Sequence, residues 1–458
     1  MTVPITVSVP NTGAHPLPFR IAGSRPRPAV YQPGTPQFRY WAAAAALRRT
    51  ADFWGRIATA TTRWQVGTSL PVVLDDGVDL NAFYTRGGFG EGPGLHFFHE
   101  AVSGRTYFSG ESPDVVCHEM GHALLDALRP QLWNAQSIEA AAFHESFGDM
   151  SAILSALQVA SFRQTVFNET SGRLNRSSRL SRLAEQLGAA IRVGHPDAVD
   201  PDCLRNAANS FFYRDPQTLP PSAPAQQLSS EPHSFSRVFT AAFLDLLAGI
   251  VKFQPGTSAP DKLVPAAEAA ARMLVGSIRE APVVPDYYSQ IAAHMITVGN
   301  NAPFNGRYRN VLKSVFVRRG ILSLQAAATI SGVPRVAARR AAAAVRRVDE
   351  RGELPKASIA AGIFGLRQRA LMVHAPEEPK RFAVTSSSLT LGPVEPRSPH
   401  TAAEAFTEDL FQRGRVDVGD FADPEVGLVN PLNLKTHVVV QEDGALTLKR
   451  RTFDCGFD

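Results

Sequence analysis

Residues 117–122 read Cys-His-Glu-Met-Gly-His. On an α-helix, residues four apart lie about 40 degrees apart around the axis, so His118 and His122 present their rings on one face. Two neutral imidazoles arranged in this way can reach one metal ion, and Glu119 can reach a water held by that ion. The motif therefore predicts two metal ligands and a general base on one helix.

The flanking residues predict where this helix begins and ends. Ser112 is typical of a helix N-cap, Pro113 of the first helical position, and Asp114 of the positive end of the helix dipole. Because Pro130 cannot continue a helix, we expect the helix to end near Leu128.

A third metal ligand is predicted on the helix that follows, over residues 137 to about 159. A catalytic zinc takes three protein ligands and leaves a fourth position for water. Glu145 and Asp149 lie four residues apart and so share a face of this helix. We expect Glu145 to complete the ligand set of one catalytic zinc, and Asp149 to accept the remaining ring N–H of a ligand histidine.

Together these elements resemble the thermolysin-like zinc metallopeptidases, the gluzincins that combine HExxH with a downstream glutamate in an ExxxD helix. The resemblance covers roughly residues 36–300. It implies an α+β, zincin-like fold in which a β-rich N-terminal lobe and a mainly helical second lobe enclose a cleft with the zinc helix at its floor. It also implies a zinc-dependent endopeptidase whose partner is a peptide or protein substrate.

The same resemblance assigns roles to four further residues. Asn81 and Ala82 match the pair that binds an extended substrate backbone as an added strand. Arg205 matches an arginine that binds a substrate carbonyl, and His233 matches a histidine that stabilises the oxyanion.

The sequence departs from the family pattern in three respects. No tyrosine occurs between Tyr107 and Tyr213, so the family's zinc-side tyrosine is missing. The aspartate that supports the late histidine has no clear counterpart, which leaves Glu231 and Asp245 as alternatives. Acidic clusters are sparse, so we do not expect the family's calcium ions.

Composition shifts along the chain predict four segments. They are an extended N-terminal arm at 1–35, an N-terminal catalytic lobe with antiparallel strands and the zinc helix at 36–130, a helical lobe at 131–320, and a C-terminal α/β extension at 321–458 whose role the sequence does not assign. An arginine-rich helix at 335–347 and a strand pair with a Glu-Asp-Gly turn near residue 443 are predicted within the extension.

Composition limits the classes of function. A formal net charge of +5 on 458 residues is too mild to indicate a nucleic-acid partner. No apolar run approaches the roughly 20 residues of a membrane helix, and the first residues lack a Sec signal pattern. We therefore expect no membrane partner, and a protein that is cytoplasmic or exported without a Sec signal. The oligomeric state stays open.

Several other residues near the motif have ordinary interpretations that we favour. His144 points about 100 degrees away from Glu145 around their helix and is interpreted as a packing or surface residue. His96 and His99 are interpreted as structural residues of a strand, and Cys117 as a small buried side chain. Cys455 could cap the zinc and keep the enzyme latent, but we favour a structural role for it too.

Two alternatives to the endopeptidase are kept. One is a catalytically weak or inactive zinc-binding scaffold with the same fold, which the missing tyrosine favours and Glu119 argues against. The other is a narrow-specificity processing peptidase or exopeptidase, which would differ in the charged groups at the end of the cleft.

Overall fold

The computed structural model of the protein describes residues 9–11, 15–58, 62–256, 260–330, 353–379, 397–423 and 434–455. Its helices are α1 (Pro36–Gly55), α2 (Pro113–Leu128), α3 (Ile138–Ala156), α4 (Ala160–Thr170), α5 (Glu185–Gly194), α6 (Pro232–Val251), α7 (Leu263–Glu280), α8 (Tyr287–Asn300), α9 (Arg309–Arg318), α10 (Leu324–Thr329) and α11 (Pro399–Gln412). Its strands are β1 (Phe19–Ile21), β2 (Leu70–Val73), β3 (Ala82–Thr85), β4 (Gly94–Phe97), β5 (His99–Val102), β6 (Arg105–Phe108), β7 (Arg182–Leu183), β8 (Arg205–Asn206), β9 (Lys356–Ala360), β10 (Ala370–His374), β11 (Val416–Asp417), β12 (His437–Glu442), β13 (Ala445–Arg450) and β14 (Thr452–Asp454). This mixture of helices and small sheets is compatible with the predicted α+β class.

The first sheet has five strands in the order β1-β2-β4-β3-β14. The predicted antiparallel pairing holds for β3 with β4 and for β5 with β6. It is wrong for β2, which runs parallel to both β1 and β4. The reason is that β3 follows β2 in sequence but lies on the far side of β4, so β2 and β4 meet side by side in the same direction.

Helices α2 and α3 pack together at a point where neither has a side chain. A Cβ atom on Gly121 would lie 2.9 Å from the Cα of Gly148, and a Cβ on Gly148 would lie 2.6 Å from the ring of His118. Helix α1 covers both helices, and its Trp54 donates to Ser151 and stacks on Phe147. The two motif-bearing helices therefore cross close enough for their side chains to meet.

The predicted helix boundaries are confirmed for α2, which spans Pro113–Leu128. The helical spacing of apolar residues from Pro36 to about Trp64 predicts one long helix there, and in the structure that helix, α1, ends earlier, at Gly55. In the described part of the chain one helix, α6, is long and apolar enough to cross a membrane, and 78% of its most apolar window is buried in the protein. Such burial is also typical of a core helix in a water-soluble protein.

The second sheet has the order β11-β12-β13-β10-β9. Its hairpin of β12 and β13 confirms the predicted strand pair, and the turn places Asp443 and Gly444 at φ of 49 and 82 degrees. The predicted helix at 335–347 lies outside the described residues. The division at 35, 130 and 320 stays a prediction. After β13 the chain continues into β14, which belongs to the first sheet, so the predicted extension contributes a strand to the sheet that contains β3.

Candidate metal centre

Helices α2 and α3 bring the predicted ligands to one buried point. His118 Nε2 lies 3.3 Å from Glu145 Oε2, and His122 Nε2 lies 3.6 Å from Glu145 Oε1. Ligand atoms of His118, Glu119 and His122 also lie within 4.8 Å of one another. All four side chains are at least 95% buried.

Asp149 lies behind His118. Its Oδ1 is 3.0 Å from His118 Nδ1 and accepts a hydrogen bond of 3.2 Å from Arg205 Nη2. Burial alone would raise the pKa of Asp149, but Arg205 and His118 lower it to about 2. The carboxylate is therefore ionised and fixes Nδ1 of His118 as the protonated nitrogen, which leaves Nε2 to face Glu145.

The resemblance assigns Arg205 to a substrate carbonyl, and the structure places Arg205 on β8 with its guanidinium 3.2 Å from Asp149. Its side chain is 91% buried. Burial would lower its pKa, but Asp149 and Glu145 raise it, so the guanidinium is charged. The contact made by Arg205 is thus one step removed from the ligands.

His122 has a neighbour that sequence reasoning missed. Its Nδ1 lies 3.3 Å from Nδ1 of His144, so one ring donates a hydrogen bond to the other. Burial, together with cationic neighbours, lowers the pKa of both histidines well below its ordinary value, so both rings are neutral. A helical wheel of α3 gives the direction of His144 relative to Glu145 but not its distance from α2, which is why this contact left no signal in the sequence.

His233 lies at the start of α6 and reaches the same cluster. Its Nε2 lies 3.3 Å from Glu145 Oε2, and its Nδ1 lies 2.7 Å from Glu231 Oε1. Burial opposes the charged ring, but Glu145 and Glu231 raise its pKa to about 10. Of the two residues proposed to support it, Glu231 is therefore the one in contact, and Asp245 pairs with Arg319 at 2.9 Å.

Glu119 points into the same buried space. Neither of its carboxylate oxygens has a hydrogen-bond partner within the described residues. Burial raises its pKa to about 8, although His118 opposes this shift and the nearby Cys455 thiol also does. A buried carboxyl that titrates near neutrality suits proton transfer better than it suits structural pairing.

The two residues expected to hold substrate lie at the start of β3, next to the outermost strand β14 of the first sheet. Asn81 precedes β3 and its side chain accepts from the backbone N–H of Ala82 at 2.8 Å. The carbonyl of Ala82 accepts from the backbone N–H of Cys455 at 3.0 Å. His96 and His99 are structural as predicted, since they lie 2.6 Å from the carboxylates of Asp76 and Asp75 respectively.

The donor set fits a tetrahedral zinc ion. Ligand bonds of 2.0 to 2.2 Å imply ligand atoms about 3.4 Å apart, and the observed separations to Glu145 are 3.3 and 3.6 Å. Within the described residues, His118 Nε2 and His122 Nε2 are buried and make no hydrogen bond. Buried polar atoms without a hydrogen bond are costly, and a cation placed between them and Glu145 would satisfy both.

No protein-family model matches the sequence, and no curated protein matches it. What the chain demonstrably contains is a buried His118-Glu119-His122 cluster that could hold a metal ion.

Proposed function

We propose that this protein is a zinc-dependent endopeptidase of the thermolysin-like type. The observation that carries the proposal is that Glu145 oxygens lie 3.3 and 3.6 Å from His118 Nε2 and His122 Nε2, the separation expected between ligands of one zinc ion, with the unpartnered Glu119 beside them. A purely structural zinc site has no use for a buried base, because its ligands already fill the coordination sphere.

In this proposal His118, His122 and Glu145 hold the zinc, which when bound supplies Lewis acidity and lowers the pKa of water. Glu119 takes a proton from the attacking water and passes it to the leaving nitrogen. Its position on α2, one residue after a ligand, keeps the carboxylate next to the reacting centre.

Two further groups act on the substrate. The His233 ring, whose pKa is raised by Glu145 and Glu231, donates from Nε2 to the oxygen on which negative charge develops. The backbone of Ala82 and the amide of Asn81 hold an extended peptide against β3, as an added strand. Arg205 acts through Asp149, which orients His118, and so contributes to metal binding more than to substrate contact.

The second candidate is a zinc-binding scaffold without efficient turnover. This candidate is favoured because the chain's own residues, β14 and Cys455, occupy the edge of β3 and the space beside Glu119.

Hydrolysis of quenched fluorescent casein tests the proposal. The arms are the zinc-loaded chain, the chain after chelation, the chelated chain reloaded with zinc, and the Glu119→Gln variant. Glu185→Gln, on a half-exposed position of α5, is the matched control. We expect one zinc per chain in every variant and hydrolysis only with zinc and an intact Glu119.

Residual hydrolysis that is unaffected by Glu119→Gln would contradict the proposed base. A chain that binds no zinc would contradict the site itself.

A further inference from the structure

Strand β14 occupies the edge of the first sheet that is expected to bind substrate. It pairs antiparallel with β3, with Phe453 opposite Tyr84 and Asp454 opposite Phe83. The next residue, Cys455, donates its backbone N–H to the carbonyl of Ala82. Because a sheet edge offers one row of backbone donors and acceptors, a peptide cannot pair with β3 while β14 is there.

Three consecutive residues of this segment meet the groups proposed to carry out catalysis. The Asp454 carbonyl oxygen lies 2.7 Å from Nε2 of His233. The Phe453 ring stacks on the rings of His144 and His122, at centroid distances of 3.8 and 5.1 Å.

The third contact is made by Cys455, which is 98% buried and donates its backbone N–H to the carbonyl of Ala82 at 3.0 Å. The peptide bond between Asp454 and Cys455 therefore has its carbonyl at the oxyanion donor and its N–H on Ala82. This is the arrangement expected of a bound substrate.

Charged groups outside the cluster hold the segment in place. The Asp454 carboxylate lies 3.1 Å from the guanidinium of Arg415, and the guanidinium of Arg450 lies 4.0 Å from the centre of the Phe453 ring. Phe453, Asp454 and Cys455 are all at least 96% buried. The segment is thus packed in the interior of the protein and not exposed on its surface.

We propose that residues 452–455, named here the inhibitory strand, bind in the peptide site as a substrate-like segment and keep the site closed. The inference rests on the proposed function in one respect, because it takes the excluded ligand to be a peptide substrate. Opening requires that the inhibitory strand leave β3, after which the edge of β3, Glu119 and His233 become available together.

Peptide binding to the full chain tests the inference without requiring turnover. The probe is a fluorescent synthetic peptide that copies residues 451–458, and the background is Glu119→Gln, in which hydrolysis is not expected. Phe453→Ala removes the ring that stacks on His144. Phe364→Ala, whose ring stacks on Phe411, is the matched control for loss of a buried phenylalanine.

The apparent affinity of a closed site is reduced by the fraction of molecules that are open, so we expect Phe453→Ala to tighten peptide binding roughly 10- to 100-fold. Phe364→Ala should bind as weakly as its parent. The alkylation rate of Cys455 should rise by a similar factor, while those of the buried Cys117 and Cys203 stay constant. Equal peptide affinity with and without Phe453→Ala would overturn the inference.

Two additional measurements keep the outcomes distinct. Should Phe453→Ala lose its cooperative unfolding transition, Asp454→Asn replaces it, since this change removes only the charge paired with Arg415. Intact-mass measurement of the zinc-loaded chain should show no loss of residues, whereas cleavage after Asp454 would make the segment a substrate and refute its role as an inhibitor.

Failure of the proposed function has a different signature. One outcome is that Phe453→Ala tightens peptide binding, while the same substitution in the chain that retains Glu119 gives no casein hydrolysis. That outcome would support the inhibitory strand and contradict the peptidase. Equal casein hydrolysis with and without Phe453→Ala would support the peptidase and contradict the inhibitory strand.

Discussion

Replacing Asp149 by asparagine should lower both the stability of the metal-free chain and its affinity for zinc. The carboxylate joins His118 to Arg205 through contacts of 3.0 and 3.2 Å. Its pKa of about 2 lies below the 3.8 of a free aspartate, because Arg205 and His118 outweigh the effect of burial. At about 1.4 kcal/mol for each tenfold change in proton affinity, this difference corresponds to about 2 kcal/mol of stability.

The sign of this contribution follows from the lowered pKa. The stabilisation is fully present above pH 3.8, is lost as the pH falls through about 2, and is therefore complete at pH 7. Asp149→Asn also leaves the Arg205 guanidinium buried without its carboxylate, so we expect the metal-free variant to lose roughly 2 to 4 kcal/mol in its free energy of unfolding. Zinc affinity should fall about 10- to 100-fold, because His118 loses the charge that orients it.

The assay is denaturant unfolding of the metal-free chain together with zinc titration against a chromophoric chelator. Asp126→Asn is the matched control, since Asp126 on α2 is, like Asp149 on α3, a buried carboxylate, and it accepts from the Tyr84 hydroxyl at 2.7 Å and from Arg86. It should lower stability while zinc affinity stays the same. An unchanged zinc affinity in Asp149→Asn, or an equal loss in Asp126→Asn, would refute the reasoning.

Two further predictions concern the packing and the pH dependence. Gly148→Ala should lower zinc affinity by about tenfold or more, because the new Cβ would lie 2.6 Å from the His118 ring. Gly362→Ala, which has open space at its Cβ, should bind zinc normally. Equal zinc titrations of the two variants would contradict the close crossing of α2 and α3. His437 is buried with a pKa lowered by burial and by neighbouring arginines, so below pH 6.5 the unfolded chain binds a proton that the folded chain does not. The free energy of unfolding should therefore fall by up to about 1.4 kcal/mol per pH unit below pH 6.5. The slope of this free energy against pH should be shallower in His437→Asn. An identical slope in the variant would show that His437 is not the source of the pH dependence.

The parts of the site that were predictable are those set by helical periodicity. The four-residue spacing of His118 and His122, and that of Glu145 and Asp149, places each pair on one face without reference to the rest of the chain. The structure brings these two faces together. The zinc identity and the peptidase activity stay predictions, because the geometry establishes donor atoms and not the ion or the reaction.

The remaining features depend on contacts between distant parts of the chain. Pairing of β14 with β3 joins residues more than 366 apart, and the hydrogen bond from the Thr85 hydroxyl to the carbonyl of Arg451, just before β14, spans 366 residues. No local pattern encodes such a partner, and the sequence offers Cys455 as a cap on the zinc only as a minor alternative. The same holds for His144 against His122, and for the parallel direction of β2, which depends on the order of strands in space.

The long separation between β3 and β14 also matters while the protein is being made. At roughly 5 to 20 residues per second, the ribosome needs about 20 to 70 seconds to add the residues between these two strands. During that time the outer edge of β3 is bare on the nascent chain, and bare edges are prone to pair with other chains. A growing polypeptide that has already folded α2 and α3 would pass through an interval in which this edge depends on chaperones, or on its own slow closure, for protection.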